Sequence, residues 1–208
     1  MVWSLNWQVD EGKFLREVEV KRFRSYLRRC CNDALRTDRK VAVKDWFVID
    51  LALSTGLRVS EIANLRRGDI WIDKGRASLI VRNGKCGKQR IVKFGEQFRK
   101  HLEEYLKWKK KIGEDCSPEA PLILSSNTKG KMTTRGLQKV FERNAEKVGI
   151  KSHSIHSLRH TYATFLLRAS GNLRMVQKQL GHSSVRVTEV YADILNPDLE
   201  KALQKLYR

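Results

Sequence analysis

Several things are missing from this 208-residue sequence, and each absence closes off a class of function. No stretch reaches the roughly 18 consecutive apolar residues that mark a membrane-spanning helix, so no role across a bilayer is expected. Residues Met1 to Asp10 have neither a basic start nor a long apolar stretch, so no secretory signal is visible. The four cysteines, Cys30, Cys31, Cys86 and Cys116, show no CxxC spacing. They read as free thiols in a reducing compartment, which points to the cytoplasm. Gly84-Lys85-Cys86 lacks the upstream glycine and the following Ser/Thr of a nucleotide-binding loop. Internal repeats and low-complexity segments are absent. Acidic residues are in short supply, with 23 against 42 lysines and arginines, leaving a net charge of +19. Solubility calls for about 2–8 charges in a small domain. The excess implies a polyanionic partner, nucleic acid first and an anionic membrane surface second. The positive charge is spread along the chain, so a folded face rather than a tail should carry it.

The hydrophobic pattern predicts a mainly helical chain interrupted by a short β region. Phe14 to Leu35 is amphipathic, with Phe23, Tyr26, Leu27, Cys30, Cys31, Ala34 and Leu35 on one side and Lys21, Arg24 and Arg28 on another. Val43 to Ser54 is nearly all apolar and reads as a buried helix stopped at Thr55-Gly56. A short helix over Val59 to Leu65 follows. Ile70–Ile72, Ala77–Arg82 and Gln89–Phe94 are β-rich runs separated by glycine-bearing turns, which predicts a three-stranded antiparallel sheet of two hairpins. Helices are then expected over Gln97–Lys111, Thr133–Val148 with Thr133 or Thr134 as N-cap, His156–Arg168, Leu173–Leu180, Ser184–Tyr191 and Leu199–Leu206. The fold class is α+β, mainly α.

Two C-terminal segments carry the chemistry. In His156-Ser157-Leu158-Arg159-His160, helical spacing brings His156, Arg159 and His160 onto neighbouring positions. That sets a fixed cation beside two imidazoles able to move protons near neutral pH. Leu180-Gly181-His182 follows, with Tyr191 nine residues after His182. Phosphate is the anion that suits the set. A metal is not expected. His153, His156, His160 and Cys116 lack CxxC or HExxH spacing, and Arg159 would repel a cation.

Five segments in this order resemble the catalytic domain of the tyrosine recombinases, the site-specific recombinase and phage integrase family. They are Ser54 to Ile62 (STGLRVSEI), Gly84 to Arg90 (GKCGKQR), His156 to His160, Leu180 to Ser184 (LGHSS) and Thr188 to Tyr191 (TEVY). The resemblance implies a metal- and ATP-independent enzyme without cofactors that cuts and rejoins double-stranded DNA. Tyr191 would attack the scissile phosphate and leave a 3′-phosphotyrosyl bond. A tyrosine with a pKa near 10 costs about 4 kcal/mol to ionise at pH 7, so it needs help. His156 is the implied proton acceptor. Arg58 and Arg159 would grip the non-bridging oxygens with planar, permanently charged forks. Lys85, in the turn before the third strand, would protonate the leaving 5′-oxygen, with Lys88 as its rival. His182 would hydrogen-bond a phosphate oxygen. Glu61 and His160 would support the arginines, although a core histidine is an equal reading of His160. DNA contacts are expected from Lys21, Arg24, Arg28, Lys88 and Arg90.

The expected organisation is a short N-terminal extension (1–13), a catalytic domain (14–192) and a C-terminal helix (193–208) able to dock on a neighbouring protomer, without the separate N-terminal core-binding domain most relatives carry. The implied assembly is a monomer free in solution and a tetramer on DNA, at the nucleoid. Two rival functions remain at this stage: a DNA-binding protein that does not recombine, and a monomeric enzyme with type IB topoisomerase-like activity.

Overall fold

The computed structural model describes residues 13–37, 39–73, 77–82, 89–128 and 130–181. Among them run helices α1 (Glu17–Thr37), α2 (Lys40–Thr55) and α3 (Val59–Asn64), a single 3₁₀ turn (Arg67–Asp69), and strands β1 (Ile70–Trp71), β2 (Ser78–Val81) and β3 (Arg90–Lys93). Helices α4 (Glu96–Lys111), α5 (Thr134–Lys147), α6 (Ile155–Ser170) and α7 (Leu173–Leu180) complete the order. The mainly helical α+β expectation holds. The expected helices over Ser184–Tyr191 and Leu199–Leu206 lie outside the described residues.

Helix α2 is apolar on every side because it runs through the middle, packing against α1, α4, α5 and α6. A helix with no polar face must be covered all round. Phe47 lies flat on Tyr105 of α4, with ring centroids 3.7 Å apart, and both are fully buried. Its buried charged residues, Lys44, Asp45 and Asp50, each find an ionisable partner, as burial demands. Lys44 pairs with Glu114 at 2.7 Å, Asp45 with Arg143, and Asp50 with His101 at 2.8 Å. Glu114 also holds the fully buried Lys109 at 2.9 Å. The helix ends at Gly56, whose φ of 62° is left-handed and whose N–H donates to the Ala52 carbonyl. Thr133 caps α5 as expected, its hydroxyl accepting from the Gly136 N–H at 3.0 Å.

Helix α1 starts three residues later than the periodicity suggests. Phe14 and Leu15 are buried but belong to the incoming chain. The Leu15 N–H is taken by the Thr161 hydroxyl of α6 at 2.9 Å, a tertiary contact that sequence periodicity does not report.

The sheet has the order β1-β2-β3, antiparallel throughout. Ile70, Leu79 and Val92 stand in register across it and are all buried, while Ile91 points outward. Beyond the main core, Ala163, Leu167, Val176 and Leu180 form a small second cluster between α6 and α7. Helix α7 also packs on β3. The end of α2, the start of α3, β3, the middle of α6 and the end of α7 therefore meet in one place. No helix among the described residues is long and apolar enough to cross a membrane.

Candidate active site

One carboxylate organises that meeting point. Glu61, in the first turn of α3, has a side chain only 3% exposed. Its Oε2 accepts the Arg58 backbone N–H at 2.8 Å and its Oε1 accepts the Arg58 guanidinium at 2.9 Å. Arg90, on β3, reaches the same group with both terminal nitrogens, at 2.7 and 2.8 Å. Arg159, from α6, brings a third guanidinium to 3.9 Å. Burial pushes the Glu61 carboxyl up. The paired Arg90 bonds and charge, the Arg58 N–H and the Arg159 charge more than reverse this, so the group sits below the usual carboxylate range. Three fixed cations around one anion leave a surplus of positive charge in a mostly buried setting.

Arg159 also ties the two glycine turns together. Its Nη1 donates to the Gly56 carbonyl at 2.6 Å and its Nη2 to the Leu180 carbonyl at 2.9 Å. The first belongs to the left-handed residue just past α2, and the second is the last carbonyl of α7, which lacks a partner inside its helix. Both turns require glycine for two reasons. Gly56 and Gly181 have φ of 62° and 66°. A Cβ on Gly56 would come to 2.3 Å from the Tyr162 ring, and one on Gly181 to 2.6 Å from the Arg90 side chain. The sequence STGLR thus encodes a turn whose carbonyl Arg159 grips and whose next residues present Arg58.

The HxxRH stretch is helical, as expected, and opens α6. His156 is exposed in the first turn, Arg159 is buried, and His160 is half-buried. Burial first, then the charges of Arg159, His156 and Lys13, lowers the His160 pKa, so this imidazole is held neutral near pH 7. Arg58 keeps its side chain 30% exposed, against 12% for Arg90 and 10% for Arg159. It is the guanidinium of the three most open to an incoming anion. Lys85, Lys88, His182 and Tyr191 lie outside the described residues. By chain connectivity, the turn with the two lysines leads directly into β3 and His182 directly follows Gly181.

The expected DNA contacts fare differently. Arg90, expected at the DNA, turns inward to Glu61 instead. Its guanidinium gives two nitrogens to that buried carboxylate and its Nε to the Gln179 carbonyl at 3.2 Å. On α1, Lys21 pairs with Glu17 at 2.7 Å, Arg24 with Asp50 at 3.3 Å, and Arg28 with Glu104 at 2.8 Å. Arg28 also lies over the Trp46 ring. Their charges are largely met within the protein. Cys30, Cys31 and Cys116 are free thiols, and burial pushes the Cys31 thiol up to about 12, far from a reactive thiolate. No group of three or more metal-ligating side chains occurs among the described residues.

A profile of the Phage integrase family matches residues 13–196, nearly the whole chain. The chain belongs to the Phage integrase family. Within it, the chain is 33% identical over 176 residues to the tyrosine recombinase XerC of Corynebacterium glutamicum, covering 84% of this chain and 54% of that one. It is 32% identical over 163 residues to the tyrosine recombinase XerA of Pyrococcus horikoshii, covering 78% and 55%. The chain therefore spans about half the length of these curated relatives. Among solved structures, a XerA recombinase superimposes with a TM-score of 0.70 at 28% identity, over 91% of this chain and 65% of that one. A XerH recombinase on palindromic difH shares the fold, with a TM-score of 0.72 at 24% identity over 94% and 53%.

Proposed function

We propose that this chain is the catalytic part of a site-specific DNA recombinase that breaks and rejoins strands through a tyrosine–DNA bond. The observation that carries the reading is the sharing of one buried carboxylate, Glu61, by Arg58, Arg90 and Arg159. The surplus charge is preorganised, and exposed His156 stands one helical turn before Arg159 on α6. Catalysis by such a site is stabilisation of the added negative charge on the non-bridging oxygens as phosphorus becomes five-coordinate. Arg58 and Arg159 contact those oxygens, and Glu61 and Arg90 hold both in place. His182 donates a further hydrogen bond.

In the cleavage step the Tyr191 oxygen attacks phosphorus and the P–O5′ bond breaks. The tyrosine proton passes to His156, and the departing O5′ takes a proton from Lys85. Rejoining is the reverse, with the 5′-hydroxyl displacing tyrosine, so the bond energy is conserved and no nucleotide is consumed. DNA recognition, action at the nucleoid in the cytoplasm, and ring assembly through docking of residues 193–208 on a neighbour belong to the same proposal.

The experiment is incubation with a labelled pool of duplexes, including the DNA flanking the gene, followed by SDS electrophoresis. A denaturant-resistant protein–DNA adduct is expected, present in EDTA and absent for Tyr191→Phe. An adduct that persists in Tyr191→Phe, or none from the unaltered protein on any duplex, overturns the reading. Binding without an adduct would favour a DNA-binding protein that does not recombine. Relaxation of supercoils without strand exchange would favour the topoisomerase-like alternative. Removing Leu199 to Arg208 should leave single-site binding intact and abolish higher-order complexes.

A further inference from the structure

The free edge of the sheet is held in an unusual way. The Phe94 N–H donates to the Ala77 carbonyl of the chain leading into β2, at 3.0 Å. In an antiparallel ladder bonded and non-bonded pairs alternate. The next pair, Lys93 opposite Ser78, therefore turns the Lys93 N–H and C=O away from β2, toward the side where no strand follows among the described residues. One side chain takes both. Gln179, in the last turn of α7, accepts the Lys93 N–H on Oε1 at 3.1 Å and donates from Nε2 to the Lys93 carbonyl at 2.9 Å. Its primary amide copies the donor–acceptor pair of a neighbouring strand. The Gln179 backbone joins in, its carbonyl accepting Arg90 Nε at 3.2 Å. Both ends of β3 are thus fastened to one residue of α7. Tyr162 of α6 adjoins it. Burial raises the Tyr162 pKa, and a hydrogen bond from Gln179 offsets part of that rise.

We infer that Gln179 is a positioning residue that fixes β3, and the lysine-bearing turn entering it, against the α7 end that leads into His182. This rests on the reading proposed above, in which Lys85 protonates the leaving oxygen. It assigns to Gln179 the job of holding donor and phosphate site in one frame. Arg90 makes a direct link at the start of β3, through the Gln179 backbone carbonyl, and the Gln179 side chain adds the second link at the exposed Lys93 end. Water can satisfy its backbone there, so the pair of bonds contributes little to global stability. What they fix is β3 against the end of α7, the two elements that lead in the chain to Lys85 and His182, and small displacements of a proton donor are costly in rate.

Two measurements on Gln179→Met, which keeps length and loses both polar atoms, test this. The first needs no DNA. Amide hydrogen exchange at Lys93 should speed at least severalfold while the melting temperature stays within a few degrees, and unchanged exchange overturns the contact. The second uses a duplex recovered from the adduct-forming pool, prepared with either an ordinary phosphodiester or a 5′-bridging sulfur at the scissile bond. A thiol is far more acidic than an alcohol, so a sulfur leaving group needs no proton donor. Loss of a positioned general acid costs about 10²–10⁴-fold. We expect Gln179→Met to cut the oxygen substrate at least about tenfold more slowly, less than the full range because the acid is misplaced rather than removed. The sulfur substrate should be cut at nearly the unaltered rate. Equal losses on both substrates, or no loss on either, overturn the inference while leaving the recombinase reading intact. An unaltered protein that attaches to no duplex defeats the recombinase reading instead. Should Gln179→Met fail to fold, Gln179→Glu retains the acceptor for the Lys93 N–H and should show the same substrate contrast with a smaller loss.

Discussion

Two groups of basic residues on this molecule look alike in sequence and behave oppositely in the fold. On α1, Lys21, Arg24 and Arg28 meet Glu17, Asp50 and Glu104, one carboxylate apiece. Around Glu61, three arginines meet one carboxylate. The first group is locally near neutral and its side chains are mostly open to solvent. The second keeps an excess of cation in a setting largely closed to water, where charge is poorly screened. An anion-binding site is made by the local ratio of cations to carboxylates and by the enclosure around them. The total of +19 reports neither.

The comparison can be broken most directly at Arg159. Arg159→Ala should lower the rate of covalent adduct formation by about 10²–10³-fold or more, the usual cost of removing one preorganised donor. It also strips the Gly56 and Leu180 carbonyls of their partner. Arg159→Lys cannot bridge both carbonyls and should recover little. A rate within about threefold of the unaltered protein would show that the cluster is not the reacting centre.

Next in size is Glu61→Gln, which removes the shared anion. Taking one partner from a buried ion pair typically costs about 3–5 kcal/mol, and thermal melting should register it. The acid side offers the same test without a mutation. The folded-state pKa of Glu61 lies below its ordinary value, so the stability it contributes is fully present above that ordinary value. It is lost as pH falls through the folded pKa. In acid titrations the unaltered protein should lose stability in that window, and the Glu61→Gln variant should show a shallower decline. Parallel curves would mean that Glu61 is not the organising anion.

A smaller effect concerns His160, whose pKa is lowered by burial and the neighbouring Arg159 charge. A depressed histidine resists protonation in the folded state, so stability should decline as pH falls from its ordinary value toward the folded one. His160→Asn should remove that segment of the pH dependence, read by melting at pH 5 to 7. The smallest effects belong to α1. Lys21→Ala should change stability by less than about 0.5 kcal/mol, since an exposed helix pair contributes about 0.3–0.5. Arg24→Gln and Arg28→Gln should leave the salt dependence of DNA affinity nearly unchanged. A true phosphate contact would change the slope of log K against log salt by about 0.9. A change of that size would put α1 on the DNA after all.

Much of this was legible in the sequence. Local signals gave Gly56 as a helix stop, Thr133 as a cap and the switch from a period of 3.6 to 2 around Ile70. The motif order brought Arg58, Glu61 and Arg159 forward together. What the sequence did not disclose depends on contacts between distant segments. Arg90 reads as one more cation in a basic turn until Glu61, 29 residues earlier, claims it. Gln179 reads as a surface residue of α7 until the edge of β3, 86 residues earlier, meets its amide. The late start of α1 has the same origin, in the Leu15 N–H spent on Thr161 of α6. The partners of Arg24 and Arg28 were equally hidden, because Asp50 and Glu104 come from other helices.

The reach of Arg159 bears on when such a site can exist at all. Its guanidinium closes on a carbonyl 103 residues earlier and another 21 residues later. Contacts of that span form late, because the loops they close must be ordered first. As the chain emerges from its N-terminus during synthesis, Arg58, Glu61 and Arg90 can assemble on α2, α3 and the sheet. The frame that Arg159 closes has to wait for α7. The centre that Arg159 closes is therefore complete only once α7 has been made, after every strand of the sheet and helices α1 to α6.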